Sequence, residues 1–275
     1  MFNKNIALGF ASLGLILSCN SSGDVIGMDE INLNGPHQII HTLSVTGSTN
    51  KFTYSVGGNK LVKLSDLDNT VLHQISYNNN KIANITGFQK DPLSGDETQF
   101  NINFLYNNGT LTGLQGTETT AGVVSDVLTT FTYTGGKLTK TYTTRTTQVG
   151  GAPVVNYAQN DISYNGYNVS QSVFTVGVLN ANVPVPGVVT TTTYNGYDTK
   201  VSYLYGIPKE YAYFSTYNST GINYISPNNP LSMSVEVMGQ TTTKNYAYTY
   251  GTAAMPTTIT EGGNVSQITY QPWNN

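Results

Sequence analysis

Few side chains in this sequence stand at spacings that do chemistry, and each has a plainer reading. His37 and His41 lie four apart, the spacing at which a helix turns two imidazoles toward one metal. Pro36 and the Ile39-Ile40 pair point to a strand instead, where the two rings do not converge as helical ligands do. His73 is remote in sequence, so no metal is expected. Asp66-Leu67-Asp68-Asn69 matches half of a calcium loop but lacks its glycine and distal glutamate, which leaves a solvated turn. The most acidic cluster, Asp91 to Glu97, is punctuated by Pro92 and Gly95 and reads as a loop tip facing water. No Gly-x-Ser-x-Gly elbow, phosphate loop or dinucleotide fingerprint occurs. The chain is therefore read as non-enzymatic, with no catalytic residue and no cofactor. A hydrolase on extracellular polymer stays open as an alternative, because carboxylate pairs of glycosidases are not visible as spacings.

Tyrosine is the residue type that carries a functional reading. The chain has 20, and the densest stretch holds Tyr197, Tyr203, Tyr205, Tyr211, Tyr213 and Tyr217. Tyr203 and Tyr205 precede Gly206-Ile207-Pro208, and Tyr211 and Tyr213 follow it. If that tripeptide pairs two strands, all four rings face one side. Facing outward, they form an apolar patch with polar tips that suits a sugar or a protein. Facing inward, they are core. The expected function is thus a glycan- or protein-binding, adhesion-type module, with a purely structural role as the alternative.

The single cysteine has a more specific setting. Lys4 and the apolar run Ile6 to Leu17 form an export signal too short to span a bilayer, which takes ~20 apolar residues. Ile16-Leu17-Ser18-Cys19 resembles a bacterial lipobox. That resemblance implies cleavage before Cys19 and acylation of its sulfur and amino terminus, so that the lipid bilayer is the first partner. Residues 1–18 are then signal peptide, 19–37 lipidated cysteine and polar tether, and 38–275 one antiparallel domain. The implied location is the bacterial envelope, as an outer-membrane lipoprotein on either face.

Composition says what elements must do the positioning. Only 10% of residues are charged and the net charge is −3, with Arg145 the sole arginine. Nucleic-acid binding, which needs a basic face, is excluded as an expectation. The sequence contains 39 Thr and 28 Gly, favouring strands and the turns between them. One pattern recurs: an alternating strand ending in Tyr, a turn of Asn and Gly, then a return strand. Copies centre on Tyr54, Tyr77, Tyr106, Tyr133, Tyr164 and Tyr194. The three-residue spacings Ile82/Ile85 and Leu111/Leu114 break alternation and predict bulges or strong local twist at the start of the return strands. No ten-residue window outside the signal is helical in period.

These hairpins are similar to the tyrosine–aspartate repeats of bacterial shell and wall proteins, with Asn in place of Asp. The chain more closely resembles a family of uncharacterised Bacteroidetes lipoproteins. The shared features are the lipobox, the Tyr/Thr hairpins, and the ordered segments Tyr246-Ala-Tyr248-Thr-Tyr250, Pro256-Thr257-Thr258-Ile259 and Ile268-Thr-Tyr270. The resemblance covers roughly Lys51 to Asn275 and implies a porin-like curved sheet with no known activity.

The expected fold is all-β: 14–16 antiparallel strands in an up-and-down meander, strongly curved or partly closed into a barrel. Gly177 to Val188, with Pro184 and Pro186, and Ser226 to Pro230 are expected as loops. A membrane-spanning barrel is disfavoured, because stretches such as Thr139 to Thr147 would set Thr against lipid.

Overall fold

The computed structural model describes residues 38–272 apart from 46–47, 56–59, 91–95, 205, 218–221 and 252–253. The signal, Cys19, the tether, His37, most of the acidic cluster and Tyr205 lie outside the described residues.

The first strands are β1 (Gln38–Val45), β2 (Ser48–Tyr54), β3 (Leu61–Ser65), β4 (Val71–Asn78), β5 (Lys81–Lys90) and β6 (Glu97–Asn107). The longest follow: β7 (Thr110–Thr120), β8 (Val123–Thr134), β9 (Lys137–Val149), β10 (Ala152–Asn165), β11 (Asn168–Asn180) and β12 (Val183–Tyr194). An excursion comes next, made of β13 (Tyr197–Val201), helix α1 (Lys209–Thr216), a 3-10 turn at Asn223–Ile225, and β14 (Asn228–Pro230). The chain finishes through β15 (Ser232–Val237), β16 (Gln240–Tyr250), β17 (Pro256–Glu261) and β18 (Asn264–Pro272).

Turn chemistry makes the meander. Asn79 and Asn80 both have positive φ, as do Asn108 and Gly109. That is the geometry a two-residue hairpin needs to match strand twist. Each strand pairs antiparallel with the next, and β12 pairs with β15 across the excursion. Pairing of β1 with β18 closes the sheet into a sixteen-strand barrel. Closure removes the free edges that so wide a sheet would otherwise expose.

The bulges fall where the spacing of three places them. Tyr77 opposes Ile82 while Ser76 opposes Asn84, so Ala83 is the extra residue. Thr112 is skipped in the same way between β6 and β7. The β8–β9 and β10–β11 hairpins repeat the device at Thr139 and Ser170.

Alternation decides what faces where. In β6, Phe100, Ile102 and Phe104 are buried, while Gln99, Asn101 and Asn103 are exposed. The outer wall of β5–β7 is polar enough that Asn84 donates to both Asn101 and Asn103 across neighbouring strands. The core lies inside the barrel, with Ile75, Ile82, Ile85, Leu111, Leu114 and Leu138 all buried there.

Three sequence expectations need correction. Pro184 and Pro186 lie within β12, paired with Leu179 and Gly177, and not in a loop. The ladder to β15 covers only Thr190 to Tyr194, so the proline-bearing part of β12 has a neighbour on one side only. Proline is tolerated there because no second ladder needs its missing N–H. The second correction is α1, where a strand pair was expected. The third is β14: Asn228–Pro230, expected within a loop, pair with β13, Tyr197 opposing Pro230 and Val201 opposing Asn228.

Candidate functional site: the plugged lumen

The tyrosines before the turns form a row around one end of the barrel. Their hydroxyls donate to carbonyls one hairpin back: Tyr77 to Leu61, Tyr106 to Ile82, Tyr133 to Leu111 and Tyr164 to Leu138, and Tyr197, which follows the next turn, takes the place of Tyr194 and donates to Val169, all at 2.7–2.9 Å. Tyr270 does the same to Pro256 at 2.6 Å. Each acceptor sits beside a bulge, where the ladder is locally disrupted and an extra donor restores cohesion. Tyr54 opens the series, and its buried hydroxyl has no partner among the described residues. Lysines cap this row: Lys60 lies over the Tyr77 ring, Lys81 over Tyr106 and Lys137 over Tyr164. The recurrent Tyr is thus a structural staple, and burial pushes the Tyr77, Tyr106 and Tyr133 hydroxyls above the usual phenol range.

The segment between β12 and β15 enters the barrel and fills it. Tyr203, Tyr211 and Tyr213 are buried at 2%, 0% and 6% exposure. They form no outward patch, and they do not share one face of a hairpin. After Pro208 the chain turns into α1, which places Tyr211, Phe214 and Tyr217 three residues apart along one side. Phe214 packs against Phe100 and Phe104 of β6, while Tyr213 meets Phe131 and Tyr133 of β8. The glycan-stacking reading of Tyr203, Tyr205, Tyr211 and Tyr213 loses its basis, because three of these rings are core and the fourth lies outside the described residues. The sequence held the signal: Pro208, then Glu210 in a first turn, then aromatics at a spacing of three.

Two side-chain clusters tie α1 and its C-cap Tyr217 to the wall. His73 Nδ1 of β4 and the Tyr211 hydroxyl are 2.6 Å apart in one hydrogen bond. The imidazole is ringed by Phe100, Tyr211 and Phe214. Burial lowers its pKa to about 4, so it is neutral at pH 7. Further along α1, Arg145 Nε of β9 donates to Glu118 Oε2 of β7 at 2.7 Å. The Tyr217 hydroxyl donates to Glu118 Oε1 at 2.9 Å, and the guanidinium sits 5.5 Å from the Tyr217 ring centre. The only arginine therefore closes an ion pair onto the plug, leaving Glu118 committed to two donors. At the neck, Asp198 accepts from the Asn229 backbone N–H at 3.1 Å and its side-chain amide at 3.0 Å, and from Tyr250.

The remaining candidates are plain. His41 is the bulged residue of β1, and no metal-binding group of three His, Cys, Asp or Glu occurs among the described residues. Asp66 accepts the Thr70 N–H at 2.8 Å, closing an ordinary turn.

The barrel fold has a solved counterpart. The fold is similar to that of a porin-like protein from Bacteroides vulgatus. The two share 12% identity at a TM-score of 0.52, over 85% of this chain and 99% of that one. No family model matches this sequence, and no curated protein does. At that identity the likeness to the porin-like neighbour concerns the fold alone. The distribution of polarity in this chain is its own: β6 sets amides outside and aliphatic and aromatic side chains inside, β8–β12 also bury Thr129, Thr141, Thr143 and Thr192 and expose Leu128 and Val189, and a plug stands where a pore would run.

Proposed function

We propose that this is a lipid-anchored protein of the bacterial cell envelope, held by acylated Cys19, whose plugged barrel does not span the bilayer and serves a non-enzymatic, structural or contact role. The observation that carries the reading is the placement of polar and apolar side chains. A bilayer-spanning barrel needs an outward apolar band ~25 Å tall. Here Gln99, Asn101 and Asn103 point outward from a central strand, and Phe100, Ile102 and Phe104 point in. Among the described residues, the polar groups that hold α1, namely His73, Tyr211, Glu118, Arg145 and Tyr217, are engaged with one another.

Burial of Tyr203, Tyr211 and Tyr213 moves weight from a glycan-binding module to the structural role. A binding or adhesion function would have to use another surface than these rings. Metabolic labelling with a fatty-acid analogue tests the anchor. The wild-type chain should take up label and Cys19→Ser should not. Unlabelled wild-type protein in the membrane fraction would contradict the anchor.

A further inference from the structure

We infer that the end of the barrel opposite the tyrosine row is a surface that dips into a lipid bilayer. Hairpins alternate ends, so the turns of β7–β8, β9–β10, β11–β12 and β15–β16 all lie at this end. The tyrosine staples tie the other end in register, so the extra length of β8–β12, 12 to 14 residues each, projects here. The projecting tips are aliphatic and open to solvent: Met238 is 85% exposed, Val183 62% and Val149 59%. Val123, Val124 and Val185 add to them.

Charge is absent from the longest of these tips. From Thr146 to Tyr197 the sole charged side chain is Asp161, which lies toward the tyrosine end of β10. Elsewhere at this end Asp126 and Glu236 are exposed near Val124 and Met238, and Glu97 and Glu261 flank the β5–β6 and β17–β18 turns. The uncharged part of the rim is therefore the β9–β10 and β11–β12 tips, where Val149, Val154, Val183 and Val185 are exposed together rather than singly.

The character of the rim selects the occupant. Protein contacts draw their strength from Trp, Tyr and Arg anchors in packed pockets, and these tips carry none. Separate protruding tips leave gaps that a rigid second copy cannot fill and that lipid chains can. The chain outside the structure allows the arrangement. Asn20 to His37 separate Cys19 from β1. Those 18 residues reach roughly 60 Å when extended, against roughly 45 Å for the 14-residue β10. The tether is thus long enough for the far rim to rest on the membrane that holds the lipid. This inference rests on the envelope reading for the presence of a membrane, but its test does not use the acyl anchor.

The test is flotation of the mature chain carrying Cys19→Ser with vesicles of phosphatidylethanolamine and phosphatidylglycerol. The protein should float with the vesicles. Combining Val149→Asp, Val183→Asp and Met238→Asp should lower the partition coefficient at least about tenfold, without lowering the melting temperature. Met238→Asp alone, at a fully turned position with φ 52° that Asp tolerates, should give a smaller loss in the same direction. A parent protein that stays at the bottom of the gradient, or a triple variant that floats equally well, overturns the inference. Concentration-dependent dimers abolished by the triple variant, with no flotation, would assign the rim to a contact between copies and overturn it too. Loss of fatty-acid label on the wild type would strike the anchor and leave the flotation result standing.

Discussion

At the scale of single residues, the lumen holds two groups whose protonation or charge is set by the plug. His73 is neutral because burial lowers its pKa from 6.5 to about 4. A depressed folded-state pKa means that the unfolded chain takes up the proton first. Stability is then complete above pH 6.5 and is lost as pH falls toward 4. The loss should be about 2–3 kcal/mol, read as a falling melting temperature across that window. His73→Gln should flatten the dependence. Glu118 and Arg145 behave differently, as a buried pair. Arg145→Met should cost about 3 kcal/mol by stranding the carboxylate, and adding Glu118→Met should recover a large part of it, as chemical denaturation of both variants will show.

These roles were only partly legible in the sequence. Tyr77, Tyr106 and Tyr133 stand out by their repeat, but their acceptors are backbone carbonyls, which leave no trace in residue identity. Tyr211 and Tyr213 look like one face of a strand by alternation and become two faces of a helix. His73 shows no partner within its own hairpin, since Tyr211 lies 138 residues away.

At the scale of elements, the hairpin is the legible unit. Asn-Gly turns and the broken alternation at Ile82/Ile85 give strand pairing and bulge position together. Gly166 has φ 59° in the β10–β11 turn, so Gly166→Val should destabilise by about 1 kcal/mol or more. Gly116 makes a sharper case: a Cβ there would lie 1.9 Å from the Asn101 carbonyl oxygen, and Gly116→Ala should disrupt the β6–β7 pairing. Altered hydrogen exchange confined to those strands would report it. Helix α1 was not legible by period, because its eight residues are shorter than the window in which a 3.6-residue repeat stands out. Its formation depends on the aromatic walls of β4, β6 and β8. Phe214→Ala, which empties the contact with Phe100, Phe104 and Tyr217, should cost about 3 kcal/mol in a denaturation experiment.

At the scale of the whole molecule, sixteen strands close into a barrel similar in fold to a porin-like protein, with amides facing outward along β6. The strand number and meander order follow from the repeat, whereas closure depends on β1 meeting β18 from opposite ends of the chain. The polar exterior follows from the Asn, Gln and Thr that alternate with the core residues. The plug follows from the long connection between β12 and β15, whose aromatics have nowhere else to be buried. On the function proposed above, this barrel rests against the membrane and is not threaded through it. The test is to insert a protease site after Gly23, cleave intact outer membranes and wash them with alkaline carbonate, which strips a rim that only rests on lipid. The barrel should pass into the wash without detergent, leaving the acylated Cys19 peptide behind. A cleaved barrel that stays in the carbonate-washed pellet until detergent is added would mean that it spans the bilayer.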